Sequence, residues 1–359
     1  MIKRFFTLLL FISITICSIP FSLTTSASAA ATPTPIQVYG TWLCSNDYCE
    51  WSTVRDMTEF DRNNHWLIDR GDNKPSVNLV VFAFANPLKM LQETDTGTFG
   101  MLPAGMTYEM VSYFKTRGVR VMISIGGITY ADDWDAALAA DPTQLGLNAA
   151  RIAQELGVGI EIDYENDANP NLAGLQSFID AYRSQIPYDP TGVNHAARLT
   201  IDVASDDWWL IDLNRYATTF WLNPAFPVLD YANAMVADPK SGNPTLWKQH
   251  ISGTTNISPV VPALAPAKLT GSLYLTGKMA NCKKYSNSEQ KKYASALQTM
   301  APKGIGETKG MLGYMFWVAQ DPPGDKNLST APPNSCEKGI GKGAATFKLP
   351  IPMPALRQK

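Results

Sequence analysis

The chain has little charge and few of the residues that build metal sites. Charged residues make up 17% of its 359 positions, and 30 Lys and Arg face 32 Asp and Glu, which gives a net charge of −2. Because no surplus of basic charge is available to bind phosphates, we expect no nucleic acid and no anionic membrane among its partners. The three histidines, His65, His195 and His250, are far apart in the sequence. This spacing disfavours a zinc-dependent hydrolase, and we predict no metal and no other cofactor.

The amino terminus has the three-part pattern of a secretory signal peptide. Lys3 and Arg4 precede an apolar stretch of 13 residues, 5–17, and small residues follow it. That stretch is shorter than the ~20 residues that span a bilayer, so a retained membrane helix is the weaker interpretation. We therefore expect residues 1–30 to be a signal peptide cleaved near Ala29 to Ala31, and residues 31–359 to be one secreted, extracellular domain.

Cysteine is scarce, with five in the whole chain. Removal of the signal peptide takes Cys17 away and leaves an even four: Cys44, Cys49, Cys282 and Cys336. Secretion is compatible with disulfides, and four cysteines allow three pairings. Local closure favours Cys44–Cys49, which leaves Cys282–Cys336 to link the carboxy-terminal loops, and free buried thiols are the alternative. Neither arrangement gives a cysteine a catalytic role.

Short apolar runs alternate along the chain with longer amphipathic segments. Near-continuous apolar strands of this kind are typical of sheets that are covered on both faces. The amphipathic segments carry helix signals, such as Asp141 and Pro142 at a predicted start and Gly157 at the stop. We predict eight strands: Ile36–Gly40, Val77–Ala85, Val119–Ile125, Ile160–Tyr164, Leu199–Ala204, Val228–Met235, Val260–Leu264 and Met311–Trp317.

Alternating strands and helices predict a parallel sheet with right-handed crossovers. Eight such units in about 330 residues fit an α/β fold with a single (β/α)8 TIM barrel. A doubly wound open sheet is the alternative, but no Gly-rich phosphate turn follows any predicted strand. Residues 321–359 are predicted to be a loop-rich carboxy-terminal segment of the same domain.

Three acids alternate in the segment Gly157–Glu165, GVGIEIDYE. On a strand, Glu161, Asp163 and Glu165 share one face, and in a barrel the intervening isoleucines suit the outer face. Carboxylates ~6.5–7 Å apart on a buried face raise the pKa of at least one of them, as a general acid near neutral pH requires. Glu165 would lie nearest the carboxy-terminal mouth, where barrel enzymes place their chemistry. The alternative is a surface strand whose acids are merely solvated.

This acidic segment resembles the D-G-x-D-x-D-x-E signature of glycoside hydrolase family 18, which contains chitinases and endo-β-N-acetylglucosaminidases. Val121–Gly127, VMISIGG, is similar to the S-x-G-G strand of that family. Gly313–Trp317, GYMFW, is similar to its last strand, which ends in a tryptophan under the bound sugar. Tyr39-Gly40 and Phe82–Ala85 are compatible with its first two strands, so the resemblance spans most of residues 36–320.

The resemblance implies a role for each acid. Glu165 would donate a proton to the glycosidic oxygen and then act as the base for the incoming water. Asp163 would hold the N-acetyl group of the substrate, whose carbonyl oxygen attacks the anomeric carbon in a retaining, substrate-assisted mechanism. Glu161 would lie beneath Asp163 and share a proton or a hydrogen bond with it.

The resemblance also implies substrate-binding positions. Trp317 would form the floor of the catalytic subsite, with simple core packing as the alternative. The other implied positions are Asp238, Met235, Tyr39, Phe84, Gly126 and Gly127. Further tryptophans follow the predicted strands one, three and five, and each is as consistent with core packing as with sugar binding: Trp42, Trp134, Trp208 and Trp209. His65 and His250 are predicted to be surface residues.

The chain departs from the family pattern at three positions. Val158 and Glu161 stand where the signature has its first two aspartates. In Asp230–Asp238, which is similar to the strand ending M-x-Y-D, Ala237 occupies the position of the tyrosine that steadies the N-acetyl oxygen, whereas Asp238 matches.

The sequence therefore predicts a secreted, monomeric glycoside hydrolase that cleaves β-1,4 bonds next to N-acetylglucosamine, in chitin or chito-oligosaccharides. An endo-β-N-acetylglucosaminidase acting on N-glycans requires the same acids with different loops. A catalytically silent sugar-binding protein on the same barrel is the third hypothesis, because a fold can persist without its activity.

Overall fold

The computed structural model describes residues 38–44, 54, 56–69, 73–92, 106–206, 208–236, 243–255, 258, 260–274, 312–317 and 319. The chain divides into two units, Met1–Thr32 and Pro33–Lys359, and every described residue belongs to the second. The predicted signal peptide, the segment 321–359 and Cys49, Cys282 and Cys336 lie outside the described residues. So does the side chain of Cys44, and the disulfides therefore stay predictions.

Eight parallel strands close into a barrel in chain order. Each strand pairs with the next, and the last pairs with the first. The strands are β1 Val38–Cys44, β2 Leu79–Ala85, β3 Arg120–Gly126, β4 Gly159–Asp163, β5 Leu199–Val203, β6 Ala232–Ala234, β7 Leu269–Tyr274 and β8 Gly313–Trp317. This closure confirms the predicted TIM barrel and excludes the open sheet.

Helices lie between successive strands from β1 to β7, as parallel pairing requires, and nearly all of the segment between β7 and β8 lies outside the described residues. They are α1 Met57–Ile68, α2 Pro87–Gln92, α3 Thr107–Lys115, α4 Ala131–Ala140, α5 Pro142–Leu156, α6 Leu172–Gln185, α7 Ile211–Tyr216 and α8 Asn243–Ser252. Within the residues that the structure describes, none of the helices has the length and apolarity to span a membrane.

The predicted limits of α5 are confirmed by its capping interactions. The Asp141 side chain accepts a hydrogen bond from the backbone N–H of Gln144 at 2.9 Å, and Pro142 occupies the first turn. At the other end, Gly157 adopts the left-handed conformation with φ of 61°, which glycine reaches at little cost. The helix therefore ends one residue before the acidic segment and fixes where that segment begins.

The predicted seventh strand, Val260–Leu264, is wrong. In this segment only Val261 forms a β-bridge, a single antiparallel one to Thr254, and the seventh barrel strand is instead β7. Pro262 lies within the predicted run and has no N–H to donate to a neighbouring strand. The run Leu269–Tyr274, which contains glycine and serine and is less apolar, supplies the ladder to β8.

The barrel interior has an apolar half and a polar half. Strands β8, β1, β2 and β3 contribute large apolar residues, which pack together: Val38, Trp42, Leu79, Val81, Met122 and Met315. Strands β4 to β7 contribute buried polar side chains: Glu161, Asp163, Thr200, Asp202, Asn233, Thr270 and Ser272. Between the barrel and the helices lies the larger apolar core, which includes Ile160 and Ile162, so the isoleucines face outward as the alternation predicts.

Strand pairing is also weaker on the polar side. Six residue pairs join β2 to β3, whereas three join β5 to β6 and two join β6 to β7. The polar half is therefore closed by the shorter ladders.

A buried ionic cluster lies where β5, β6 and β7 begin. Asp230 accepts hydrogen bonds from the guanidinium of Arg198 and from the backbone N–H of Leu199, the latter at 2.8 Å. Arg183 reaches Asp230 at 3.4 Å, and the Lys268 ammonium donates to the Asp230 carbonyl at 2.9 Å. This end of the barrel thus holds its buried carboxylate with cations.

We expect the outer apolar core to carry much of the stability. Phe178 on α6 is fully buried and packs edge-on against Trp134 at 5.6 Å between ring centroids. Phe178→Ala should lower the free energy of unfolding by about 3–5 kcal/mol, as measured by urea denaturation. Phe226, which is 81% exposed, provides the matched control, and Phe226→Ala should change it by less than about 0.5 kcal/mol. Equal losses in the two variants would contradict this assignment.

Candidate active site

The three predicted acids come together at β4, at the carboxy-terminal half of the barrel. Glu161 and Asp163 are buried in the interior, in register with Ser124 and Gly126 of β3. Glu165 follows the strand by two residues and is partly exposed. The alternation of acids in the sequence thus becomes a line of carboxyl groups that runs from the interior to the mouth.

The Glu161 carboxylate is held by two N–H donors. The Trp42 indole Nε1 donates to Oε1 at 2.7 Å, and the Asn233 Nδ2 donates to Oε2 at 2.6 Å. Thr270 Oγ1 in turn donates to Asn233 Oδ1 at 2.6 Å, which fixes the orientation of the amide. Because both oxygens of Glu161 face N–H groups, its anionic form is the one that this arrangement stabilises.

The hydrogen bond expected between Glu161 and Asp163 is replaced by this network. Glu161 acts on Asp163 through charge repulsion, and Asp163 Oδ1 is buried without a hydrogen-bond partner. The extra methylene of glutamate carries the Glu161 carboxyl group towards Trp42 and Asn233, which lie on β1 and β6.

A fourth buried acid, Asp202 on β5, is a site residue that the sequence analysis missed. It lies opposite Asn233 in the β5–β6 register, and its carboxyl group is within hydrogen-bonding reach of Glu161. The signal was present, because Thr200 and Asp202 alternate with apolar residues just as the acids of β4 do. Trp42 and Asn233 were also missed as partners of Glu161, since Trp42 lies beyond the predicted end of the first strand.

Burial raises the pKa of all four acids. Loss of solvation is the main cause, and it raises the pKa of both Glu161 and Glu165 to about 7. The pKa values of Asp163 and Asp202 lie well above their usual range, because the neighbouring carboxylates add repulsion to burial. For Glu165, a hydrogen bond from the Ile128 backbone offsets part of the shift. Glu165 can therefore carry a proton close to neutral pH.

Gly126 and Gly127 are required by the close approach of β3 to its neighbours. Gly126 has φ of 117°, and a Cβ there would lie 1.9 Å from the Asp163 carbonyl oxygen. A Cβ on Gly127 would lie 2.7 Å from the Phe84 ring, and its N–H donates to the Asp163 carbonyl at 2.9 Å. The two glycines thus let the turn after β3 fold over the end of β4, where Ile128 reaches Glu165.

Trp134 supports this turn from outside the barrel. Its side chain is fully buried on α4, and its Nε1 donates to the carbonyl oxygens of Ile125 and Asp163, each at 3.1 Å. The indole therefore ties the end of β3 to the end of β4. Of the two interpretations given for Trp134, the structure favours core packing.

The residues on both sides of Glu165 are held by Asp135 of α4. The Tyr164 hydroxyl donates to one Asp135 oxygen, and Asn166 Nδ2 donates to the other at 2.6 Å. Tyr164 also accepts the backbone N–H of Asn171 at 2.8 Å. This arrangement fixes the backbone of Glu165 although the loop lies at the barrel mouth.

Trp317 continues the site on its apolar side. It is partly exposed at the end of β8 and stacks on Phe84, with ring centroids 5.6 Å apart and planes at 26°. Trp42 contacts Trp317 edge-on at 6.2 Å and also binds Glu161. The aromatic cluster of Phe84, Trp317 and Trp42 is thereby joined to the acids.

Two of the implied substrate-binding residues lie apart from this cluster. Tyr39 is buried on the outer face of β1 and packs against Phe316 at 5.0 Å between ring centroids. Met235 follows β6 and packs against the larger apolar core. Asp238 and Ala237 lie outside the described residues.

The surface prediction for His250 is wrong, whereas His65 is exposed. His250 is 2% exposed, and its Nε2 lies 2.8 Å from the carbonyl oxygen of Ala204, the residue that follows β5. Trp208, which follows β5, is exposed, and Trp209 packs against the larger apolar core. Among the described residues, no group of three or more His, Cys, Asp or Glu is arranged to hold a metal ion.

We expect Trp42→Phe to destabilise the protein in a pH-dependent manner. It removes an N–H donor from Glu161, and a hydrogen bond to a charged group contributes about 1.5–3 kcal/mol. Since the pKa of Glu161 is about 7, the loss should be larger at pH values above 7, where the carboxylate is ionised, than below it. Urea denaturation at pH about 5.5 and about 8.5 measures the difference.

Trp221 provides a matched control for that experiment. Its buried indole Nε1 also donates at 2.7 Å, but to the neutral amide of Gln176. Trp221→Phe should therefore cost the same at both pH values, and an equal pH dependence in the two variants would contradict the charge-based explanation.

The chain has the fold of known chitinases. No protein-family model matches the chain, and no curated protein sequence matches it. Its structure is similar to that of a glycoside hydrolase family 18 chitinase from Pseudoalteromonas aurantia, with a TM-score of 0.51 and 16% identity over 80% of this chain and 96% of that one. A family 18 chitinase from Chromobacterium violaceum gives a TM-score of 0.50 and 13% identity over 87% and 85% of the two chains. At these identities the similarity is one of fold: this chain and these chitinases share a (β/α)8 barrel.

Proposed function

We propose that the protein is a retaining, chitinase-type glycosidase in which Glu165 is the general acid and base. One observation carries the proposal: Glu165, whose pKa is about 7, lies at the barrel mouth at the end of a line of buried carboxyl groups. A general acid is most effective when its pKa lies near the working pH. The shared fold of the family 18 chitinases and the resemblance of the acidic segment to their signature support the same assignment.

The reaction begins at the glycosidic oxygen. Glu165 donates its proton to this oxygen as the bond to the anomeric carbon breaks, and the sugar alcohol leaves. The carbonyl oxygen of the substrate's own acetamido group forms the new bond to the anomeric carbon, so no enzyme nucleophile is needed. The ionised Glu165 then takes a proton from water, and the water oxygen attacks the anomeric carbon from the side that the leaving group vacated. The bond between this carbon and the acetamido oxygen breaks as the water adds, which restores the acetamido group and releases the sugar with its configuration retained.

Asp163 is the residue that serves the acetamido group. Its Oδ1 is buried without a partner, so an amide N–H of the substrate would satisfy it. As the acetamido oxygen attacks, positive charge develops on the amide, and an ionised Asp163 stabilises that charge. Glu161, held by Trp42 and Asn233, stays in place below Asp163.

The aromatic cluster supplies the surface for the sugar ring. Trp317 is the partly exposed member, backed by Phe84, so a ring stacked on it would lie beside the acids. We propose N-acetylglucosamine oligosaccharides as the substrate class, because the acetamido group is the nucleophile of this mechanism. Secretion of the mature chain is part of the proposal and is supported by the amino-terminal pattern alone.

The activity is tested with two substrates and one variant. The chain lacking residues 1–30 is incubated with N-acetylchitotetraose and, separately, with a high-mannose glycopeptide. We expect cleavage of the oligosaccharide and a loss of about 10²–10⁴-fold in kcat for Glu165→Gln, since loss of a general acid costs about this much. Cleavage of the glycopeptide alone would replace the proposal with the endoglycosidase, and binding of sugar without cleavage would replace it with the silent sugar-binding protein.

The pH dependence provides a second prediction. Because Glu165 must be protonated in the free enzyme, kcat/KM should fall about tenfold per pH unit above pH about 7. A decline that begins near the ordinary glutamate value of 4.5 would contradict the buried-acid assignment. Circular dichroism across the same pH range separates this loss from unfolding.

A further inference from the structure

We propose that Asp202 carries the proton of the buried carboxyl pair that it forms with Glu161, and donates it to Glu161 as a hydrogen bond. The position of the proton rests on the hydrogen bonds of the described residues. Only its catalytic consequence rests on the glycosidase activity proposed above.

The donors around the two acids are unequal. Both oxygens of Glu161 accept N–H groups, from Trp42 and Asn233, and an indole N–H can only donate. Asp202 receives at most the second N–H of Asn233, and its Oδ1 is buried without a partner. Two carboxyl groups within hydrogen-bonding reach share one proton, and that proton belongs on the acid with fewer donors.

The charges that face Asp202 support the same placement. Glu161, Asp163 and Glu165 face it from β4, and each adds negative charge. From β6, Asn233 contributes a neutral amide, and Tyr231 is fully buried next to Glu161. The arginine partners of this part of the barrel, Arg183 and Arg198, are taken by Asp230. Burial and repulsion together raise the pKa of Asp202 well above its usual range.

The proton on Asp202 reduces the negative charge next to Asp163. With Asp202 neutral and bonded to Glu161, one negative charge is absent from the interior and another is shared in a hydrogen bond. Asp163 can then ionise beside one buried anion instead of two when an amide N–H approaches it. Asp202 is thus a positioning residue, which acts on Asp163 through Glu161 and does not touch the substrate.

The first test is the pH dependence of stability in Asp202→Asn. An acid whose pKa is raised on folding binds more protons when folded, so it lowers stability increasingly as pH rises above its unfolded value of 3.8. Asparagine has the same shape as aspartate, and its amide can donate an N–H to Glu161 at every pH because it does not titrate. The Tm of Asp202→Asn should therefore equal that of the parent near pH about 4 and exceed it increasingly towards pH about 8.

Asp230→Asn is the matched control, because Asp230 is a buried aspartate with arginine partners. Removing its charge breaks these ion pairs, so its Tm should fall below that of the parent at pH about 8. If Asp202→Asn behaves like Asp230→Asn, Asp202 is an anion and the proposal is overturned. In an infrared difference spectrum at pH about 8, the band of one protonated carboxyl group should be lost from the parent on Asp202→Asn substitution, and an unchanged intensity in this region would place the proton elsewhere.

The catalytic arm compares alanine with asparagine at the same position. Asp202→Ala removes the hydrogen-bond donor to Glu161. It should lower kcat on N-acetylchitotetraose about 10- to 100-fold with little change in KM. Asp202→Asn keeps a donor and should retain a kcat at least about tenfold higher than that of Asp202→Ala. Equal losses in the two variants would overturn the donor role. The stability and infrared arms need no activity, so a failure of the proposed function leaves them decisive for the proton.

Discussion

The site depends on how the barrel stabilises one buried carboxylate. Glu161 is fully surrounded by protein, and it is held there by the N–H groups of Trp42 and Asn233. These donors come from β1 and β6, so strands far apart in the sequence meet at a single side chain. These two donors stabilise the buried carboxylate of Glu161, whereas burial and repulsion between carboxylates raise the pKa of Asp163 and Asp202.

Helix α4, on the outer side of the barrel, holds the ends of β3 and β4 in place. Trp134 binds the carbonyls at the ends of β3 and β4, and Asp135 holds the residues on both sides of Glu165. Both belong to α4, which begins soon after the turn at Gly126 and Gly127. One helix therefore fixes the ends of β3 and β4 and the backbone on both sides of Glu165.

Much of this organisation could be predicted from the sequence, for identifiable reasons. The alternation of strands and helices predicted the barrel, because each strand is apolar on its outer face. The two-residue period of Glu161, Asp163 and Glu165 predicted that the three carboxyl groups share one face of β4. Gly126 and Gly127 were identified only through the resemblance, and their close approach to Asp163 and Phe84 is seen in the structure alone. Val260–Leu264 was misassigned because apolar content was weighed more heavily than Pro262, which cannot complete a ladder.

The residues that escaped prediction are those whose role is set by partners on distant strands. Asp202 and Asn233 have an ordinary strand pattern, and only closure of the barrel brings them to Glu161. The pairing of Glu161 with Asp163 was expected only from the resemblance to the family 18 signature. The residues that donate to Glu161 are Trp42, 119 residues before it, and Asn233, 72 residues after it. Periodicity within a strand cannot predict contacts over such separations.

The difference between the apolar and polar halves of the interior also predicts where the barrel opens locally. The apolar half is joined by the longer ladders, whereas β6 is joined to β7 by two residue pairs next to Asn233 and Thr270. Local opening should start where the fewest ladder bonds and the least apolar area are lost, so backbone amides of β6 should exchange with solvent before those of β2. Asn233, which donates to Glu161, lies on this weakly paired strand, so local opening of β6 would let solvent reach the buried acids without unfolding of the barrel.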